Sequence, residues 1–167
     1  TITGLGYLNG ETVSVLRDVG GHPDVVVSGG QITLQVAGSV VQVGLKAPAD
    51  LVIMRPEGGS DAGGTSQGKM KRTNQATVRL KNTLGGYIGR YNGTLSNADG
   101  HLDLIQPNVS TTTTLGQAPP LPTGDVQVSY PGDNDLDGRI HIHQDQPFQT
   151  EILGLFPVIT VHEPSPP

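Results

Sequence analysis

Glycine and proline divide this chain into segments too short for long helices. The 24 glycines and 13 prolines among 167 residues separate apolar stretches at intervals of roughly 8 to 12 residues, a spacing typical of β-sandwiches and barrels. Valine, isoleucine and threonine make up about a quarter of the chain, and β-branched side chains fit a pleated sheet better than a helix. The sequence therefore predicts an all-β protein without a helix of any length.

The predicted strands group into two units that we expect to pack together. Short strands and a turn at Ser28-Gly29-Gly30 predict a small barrel-like module at residues 1–45, too small to be very stable alone. Residues 46–163 predict an antiparallel β-sandwich, with long loops rich in glycine, proline and threonine at 56–68 and 108–122. Residues 164–167 are a predicted tail.

Basic residues concentrate in one part of the chain. No acidic residue occurs between Asp61 and Asp99, although the whole chain has a net charge of -5, which argues against a dedicated nucleic-acid binder. In segment 76–82, alternation places Arg79 and Lys81 on the outer face of a strand. Such a cluster could contact DNA or an acidic neighbouring subunit, or it could be a solvated strand face. The candidate surface consists of Lys69, Lys71, Arg72, Arg79, Lys81 and Arg90.

Segment 4–16, GLGYLNGETVSVL, resembles a small β module of phage proteins that is similar to the first catalytic cysteine half-domain of ubiquitin-activating enzymes. The chain has no cysteine, so this resemblance implies a shared β topology and no thioester chemistry. Seven later segments, in their order along the chain, are similar to the C-terminal part of the nozzle, or tail tubular, protein of short-tailed phages. These segments are 67–72, 78–80, 83–86, 123–126, 131–133, 137–140 and 144–147.

This resemblance implies a structural virion protein. It implies a ring of identical subunits, with six-fold symmetry, at the end of a short tail through which DNA is ejected. The implied partners are further copies of the chain, tail adaptor and portal proteins and, transiently, viral DNA, with no membrane insertion by this segment. The implied location is the virion, after synthesis in the cytoplasm of the bacterial host. The start at Thr1 indicates a piece of a longer protein.

His141 and His143 project from one face of a predicted strand, while Ile140 and Ile142 project from the other. The two histidines could chelate a transition metal, and three chains around an axis would supply six imidazoles, as in trimeric phage spikes. This pattern predicts an alternative function, a receptor- or glycan-binding tail or spike domain. The simpler interpretation is a polar strand face that meets solvent or the ring lumen. The resembled family has small and basic residues here, so this strand departs from its pattern.

Segment 133–138, DNDLDG, follows the D-x-D-x-D-G pattern of calcium-binding loops. The candidate ligands are Asp133, Asp135 and Asp137. Position 144, where an EF-hand loop ends in a bidentate glutamate, is glutamine, and a predicted strand follows instead of a helix. The same residue types are preferred in turns, so the simpler interpretation is a turn without an ion. Calcium apart, we expect no cofactor.

No catalytic group stands out in the sequence. Ser14, Ser28 and Ser39 lack a nucleophile elbow, and no histidine can be tied to them by sequence context. We therefore expect that the protein is not an enzyme.

Overall fold

The computed structural model describes residues 1–18, 20–57, 65–106, 121–130 and 133–162. Within these ranges the chain is almost entirely β, with a three-residue 3-10 helix at Gly6–Leu8, so the predicted all-β class is confirmed. Among the described residues, no helix has the length and hydrophobicity needed to cross a membrane. The predicted loop at 108–122, except for 121 and 122, and the predicted tail at 164–167 lie outside the described residues. The strands are β1 (Ile2–Thr3), β2 (Thr12–Arg17), β3 (Gly20–Val26), β4 (Gln31–Ile32), β5 (Val41–Leu45), β6 (Ala49–Val52), β7 (Met70–Leu80), β8 (Tyr87–Arg90), β9 (Asp103–Leu104), β10 (Gly124–Ser129), β11 (Ile140–Gln144) and β12 (Ile152–His162).

The N-terminal strands surround a small core. β2 lies between β3 and β5 in a three-stranded antiparallel sheet, and β1 pairs with β4. Val13 and Val15 of β2 are fully buried in a cluster whose members lie between residues 2 and 43. The turn predicted at residues 28–30 is present. Gly29 and Gly30 both have positive φ, and hydrogen bonds in both directions join the residues on either side of them.

Strands β6 to β12 form two antiparallel sheets that share one core. β7 lies between β10 and β12 in one sheet, and the other has the order β6-β11-β8-β9. Side chains from both sheets, among them Val78 of β7 and Ile140 of β11, form a single buried cluster. This two-layer packing agrees with the predicted sandwich. The two clusters lie on either side of the predicted division between residues 45 and 46.

β7 changes the positions that it buries at Asn74. The register with β12 skips this residue, so Asn74 is a β-bulge. After the bulge, positions 76, 78 and 80 are buried, as the alternation predicts. Before it, the buried positions are Lys71 and Thr73. The bulge therefore turns Lys71 towards the interior.

Contacts at Lys46 and Phe148 connect the N-terminal sheet with the sandwich. The Lys46 ammonium lies 3.1 Å from the carboxylate of Asp24, in β3, and 3.4 Å from that of Asp145, which follows β11. The Phe148 ring packs over Gly21 of β3, where a Cβ atom would lie 3.0 Å from the ring's Cζ. A Cβ atom at this distance would make a contact tighter than most, so a side chain at position 21 would require the Phe148 ring to shift.

Candidate functional site

β11 carries core side chains on one face and buried polar side chains on the other. Ile140 and Ile142 are 0% and 3% exposed and belong to the sandwich core. His141 and His143 alternate with them and are 0% and 6% exposed. The predicted alternation is therefore correct. The predicted contact of the two histidines with solvent or a ring lumen is wrong, because other parts of the same chain cover them.

Aromatic rings lie over the two histidines. The Tyr91 ring meets the His141 ring edge-on, with centroids 5.9 Å apart, and the Tyr87 ring lies 6.4 Å from that of His143. The His101 ring lies 6.4 Å from the His141 ring on the same buried side. A metal site shared by three chains around an axis needs imidazoles that are exposed on each chain. Both histidine rings are enclosed by their own chain, so the structure does not favour such a shared site.

Asp50 joins the two histidines. It lies on β6, opposite His143 in the register between β6 and β11. An ionised carboxylate only accepts hydrogen bonds, so Asp50 Oδ1 accepts from His141 Nε2 at 2.6 Å and from His143 Nδ1 at 2.7 Å. The Asp50 side chain is 14% exposed, although β6 is an edge strand. One carboxylate oxygen thus connects the edge strand to its neighbour.

The hydrogen bonds also keep Asp50 ionised. Partial burial is the largest single influence on its pKa and raises it, but the hydrogen bonds from His143 and His141, with their charge interactions, together outweigh burial. The pKa of the Asp50 carboxyl consequently lies below its ordinary value of 3.8. At neutral pH the cluster therefore contains a carboxylate.

Asp50, His141 and His143 form the single group of metal-ligating side chains in the described ranges, with their ligating atoms within 4.8 Å of one another. Imidazole nitrogen and carboxylate oxygen are ligands that zinc and related ions use. The sequence predicts the two histidines but not Asp50, which lies 91 residues before His141. The available signal was one charged residue in the otherwise apolar segment Ala49–Val52.

The three aspartates of segment 133–138 have separate roles. The Asp135 carboxylate accepts hydrogen bonds from the backbone N–H of Asp137 at 3.2 Å and of the next residue at 3.3 Å, as in an Asx turn. The Asp137 carboxylate lies 2.8 Å from Arg55 and 3.1 Å from Arg139. Asp133 is exposed. These carboxylates do not form a ligating group in the part of the chain that the structure describes, and their geometry supports the turn interpretation.

Arg79 and Lys81 lie on the outer face of the sandwich, and each has a carboxylate partner in the same chain. The Arg79 guanidinium donates to both oxygens of Asp125 at 2.7 and 2.9 Å. Lys81 Nζ lies 3.1 Å from Glu151. Both pairs are exposed to solvent. Acidic groups of neighbouring strands therefore balance the positive charge of this face.

Lys71 does not belong to the predicted basic surface. It is 1% exposed, and its Nζ donates to the Leu136 carbonyl at 3.1 Å. Its backbone pairs with that of Asp135 in an isolated bridge. Strict alternation along β7 would place Lys71 on the same face as Arg79, and the bulge at Asn74 reverses that placement. Of the other predicted basic residues, Arg72 is exposed, and Lys69 and Arg90 are partly buried.

A cleft of about 510 Å³ lies between the N-terminal sheet and the sandwich. The rings of Tyr87 and Phe148 line it, together with the Lys46 ammonium and its two carboxylate partners. The cleft therefore combines aromatic surface with charged hydrogen-bonding groups.

No protein-family model and no curated protein matches this chain.

Proposed function

We propose that this chain is a structural component of the short tail of a phage. In this role it binds further copies of itself in a ring, together with neighbouring tail proteins, around the path of the ejected DNA. The proposal is supported by the ordered similarity of seven segments to the C-terminal part of the tail nozzle protein. An all-β architecture without long helices is compatible with that similarity.

The observation that carries the proposal is the outer surface of β12. This strand is 11 residues long and lies at the edge of its sheet. Leu153, Phe156 and Val158 on this strand are 56%, 49% and 54% exposed, and we refer to these three apolar side chains as the strip. The Arg79 guanidinium lies 5.1 Å from the centre of the Phe156 ring and borders the strip. An apolar surface with a charged border is typical of a protein–protein contact.

A second copy of this chain fits this strip. Pro157, at the centre of β12, has no backbone N–H, so a continuous ladder between β12 and a neighbouring strand would be interrupted there. We therefore expect contact through the exposed apolar side chains. In a ring, every subunit would cover the strip of the next one, which would remove this apolar surface from water around the whole assembly.

Charge introduced into the strip tests the proposal. Phe156→Asp combined with Val158→Asp should prevent tail assembly, because carboxylates in a desolvated contact are strongly unfavourable. The readouts are tailless particles in electron micrographs and the loss of tail labelling by an antibody against this chain. Met54→Asp is the matched control, since Met54 is 88% exposed and lies outside β12, and this variant should assemble normally. Normal tails with the double substitution, or wild-type tails that the antibody does not label, would overturn the proposal.

The cleft favours glycan binding as a second candidate function. Tyr87 and Phe148 present aromatic surface beside the carboxylates of Asp24 and Asp145, and a concave site with a few convergent polar groups is typical of small-ligand binding. Titration with oligosaccharides of the host surface, followed by NMR, should shift cleft resonances in the wild type but not in Phe148→Ala. Tyr7→Ala, at a ring that is 79% exposed outside the cleft, is the control. The candidate is rejected if no oligosaccharide shifts the cleft resonances.

A further inference from the structure

The positions of the protons around Asp50 leave one buried histidine nitrogen without a hydrogen-bond partner. Both His141 Nε2 and His143 Nδ1 donate to Asp50 Oδ1, so both nitrogens carry a proton. A neutral His141 then has a lone pair, and no proton, on Nδ1. That atom is buried and has no hydrogen-bond partner among the described residues.

The neighbouring ring of His101 also has a buried nitrogen without a hydrogen-bond partner. Its Nδ1 is hydrogen-bonded to the Asp99 carboxylate and therefore carries the proton, which leaves a lone pair on Nε2. His101 Nε2 is also buried without a partner in the described part of the chain. The His101 and His141 rings are neighbours, with centroids 6.4 Å apart. Two unpartnered acceptors on neighbouring rings are an unfavourable arrangement in a buried layer.

We propose that Asp50, His141 and His143 bind one divalent transition-metal ion of the zinc type. The ion would bind Asp50 Oδ1, His141 Nε2 and His143 Nδ1, whose mutual distances are already below 4.8 Å. The two nitrogen–oxygen distances of 2.6 and 2.7 Å must open to about 3.3 Å, the separation of ligand atoms on a tetrahedral ion with bonds near 2.0 Å.

The ion would place a proton on the unpartnered Nδ1 of His141. When it replaces the two protons that face Asp50, each imidazole stays neutral and carries its one proton on the other nitrogen. His141 Nδ1 becomes a donor, next to the ring whose Nε2 is an acceptor. Asp99 and His101 then lie beside the metal-bound His141 ring as the outer groups that orient it.

The donor set selects the class of ion. Two imidazole nitrogens and one carboxylate oxygen suit zinc and neighbouring divalent ions, whereas calcium and magnesium prefer oxygen ligands alone. Three protein ligands leave a fourth position for water. Because Asp50 lies on the edge strand β6 and both histidines on β11, the ion would hold the edge strand to the sheet.

Metal binding by the tag-free protein tests the proposal directly. After removal of metal with a chelator, the protein should retain one zinc ion per chain on desalting, and zinc should raise its melting temperature. Cobalt(II), a spectroscopic substitute, should produce visible absorption bands of a tetrahedral site. Asp50→Asn should abolish both effects. The matched control His162→Gln, at an exposed histidine outside the cluster, should bind as the wild type does.

His101→Gln tests the outer hydrogen bond separately. This variant keeps all three ligands but changes the acceptor beside His141, so the stoichiometry should stay at one while the affinity falls by about 10- to 100-fold. A wild-type protein that retains no zinc and gives no cobalt bands overturns the proposal, even if Asp50→Asn does not fold. Neither result affects the proposed tail function, which depends on β12.

Discussion

Two strands of this protein carry polar side chains at the same spacing but in opposite environments. Arg79 in β7 and Lys81 directly after it are separated by one residue, as are His141 and His143 of β11, so each pair shares a face. Solvent covers the first pair, whereas Tyr91 and other rings cover the second. A period of two residues determines which side chains share a face. It does not determine what covers that face.

Because of the two environments, the polar contacts contribute differently to the stability of the fold. An exposed pair such as Lys81 and Glu151 exchanges hydration for a screened contact and contributes little to stability. In the buried layer, loss of the Asp50 carboxylate would leave two imidazole N–H groups without an acceptor. Pairs with the same spacing therefore form exposed ion pairs of little stabilising effect at one strand and a buried, hydrogen-bonded cluster on the other.

Deletion of Asn74 should have the largest effect, because it removes the bulge on which the placement of side chains along β7 depends. Without it, strict alternation would expose either the segment that contains Lys71 or the core positions after the bulge. We expect the loss of a cooperative unfolding transition in thermal denaturation. Asn74→Ser, which keeps the residue count, should unfold cooperatively at a similar temperature. A deletion variant as stable as Asn74→Ser would show that β7 does not need the bulge.

Asp50→Ala should lower the free energy of unfolding by about 3 kcal/mol, since it leaves two buried donors unpaired. Urea denaturation in the presence of a chelator measures this effect apart from any metal. Asp125→Ala, which removes the carboxylate of an exposed pair on the other strand, is the control and should have a much smaller effect. Equal losses for the two variants would contradict the distinction between buried and exposed contacts.

Lys71→Met should cost about 1–3 kcal/mol, because it removes the hydrogen bond from the buried Lys71 side chain to the Leu136 carbonyl while the apolar stem is retained. Lys81→Met, close to the same strand but exposed, should cost less than about 1 kcal/mol. Both values come from the same denaturant titration. A Lys71→Met protein as stable as the wild type would mean that the interior position needs only the methylene chain.

The smallest expected effect is the pH dependence of the Arg79–Asp125 pair. The hydrogen bond from Arg79 is the largest influence on the Asp125 carboxyl and holds its pKa below the ordinary value of 3.8. A lowered pKa means that the contribution to stability is complete above 3.8 and is lost as the pH falls through the lower folded-state value. The stability difference between wild type and Arg79→Gln should therefore shrink as the pH falls from 6 to 2, and shrink at pH 6 in about 1 M salt. A difference unchanged by acid and salt would contradict this.

Local patterns in the sequence were sufficient for much of the fold. The turn at 28–30 follows from two glycines that tolerate positive φ, and the buried face of segment 76–80 follows from strict alternation. The alternation on β11 also placed His141 and His143 on one face correctly. These features depend on residues close to one another in the chain, so a single sequence contains the information they need.

What the sequence determined by itself is the all-β class and the faces that neighbouring side chains share, since turn chemistry and a two-residue period are local properties. Tertiary structure alone decided that Asp50 meets two histidines more than 90 residues away, because that contact depends on β6 and β11 pairing in one register. It also decided that Lys71 lies inside, because an extra residue in β7 is invisible until the strand is paired with β12. Pairing and register are set by burial over the whole chain, and no local pattern contains them.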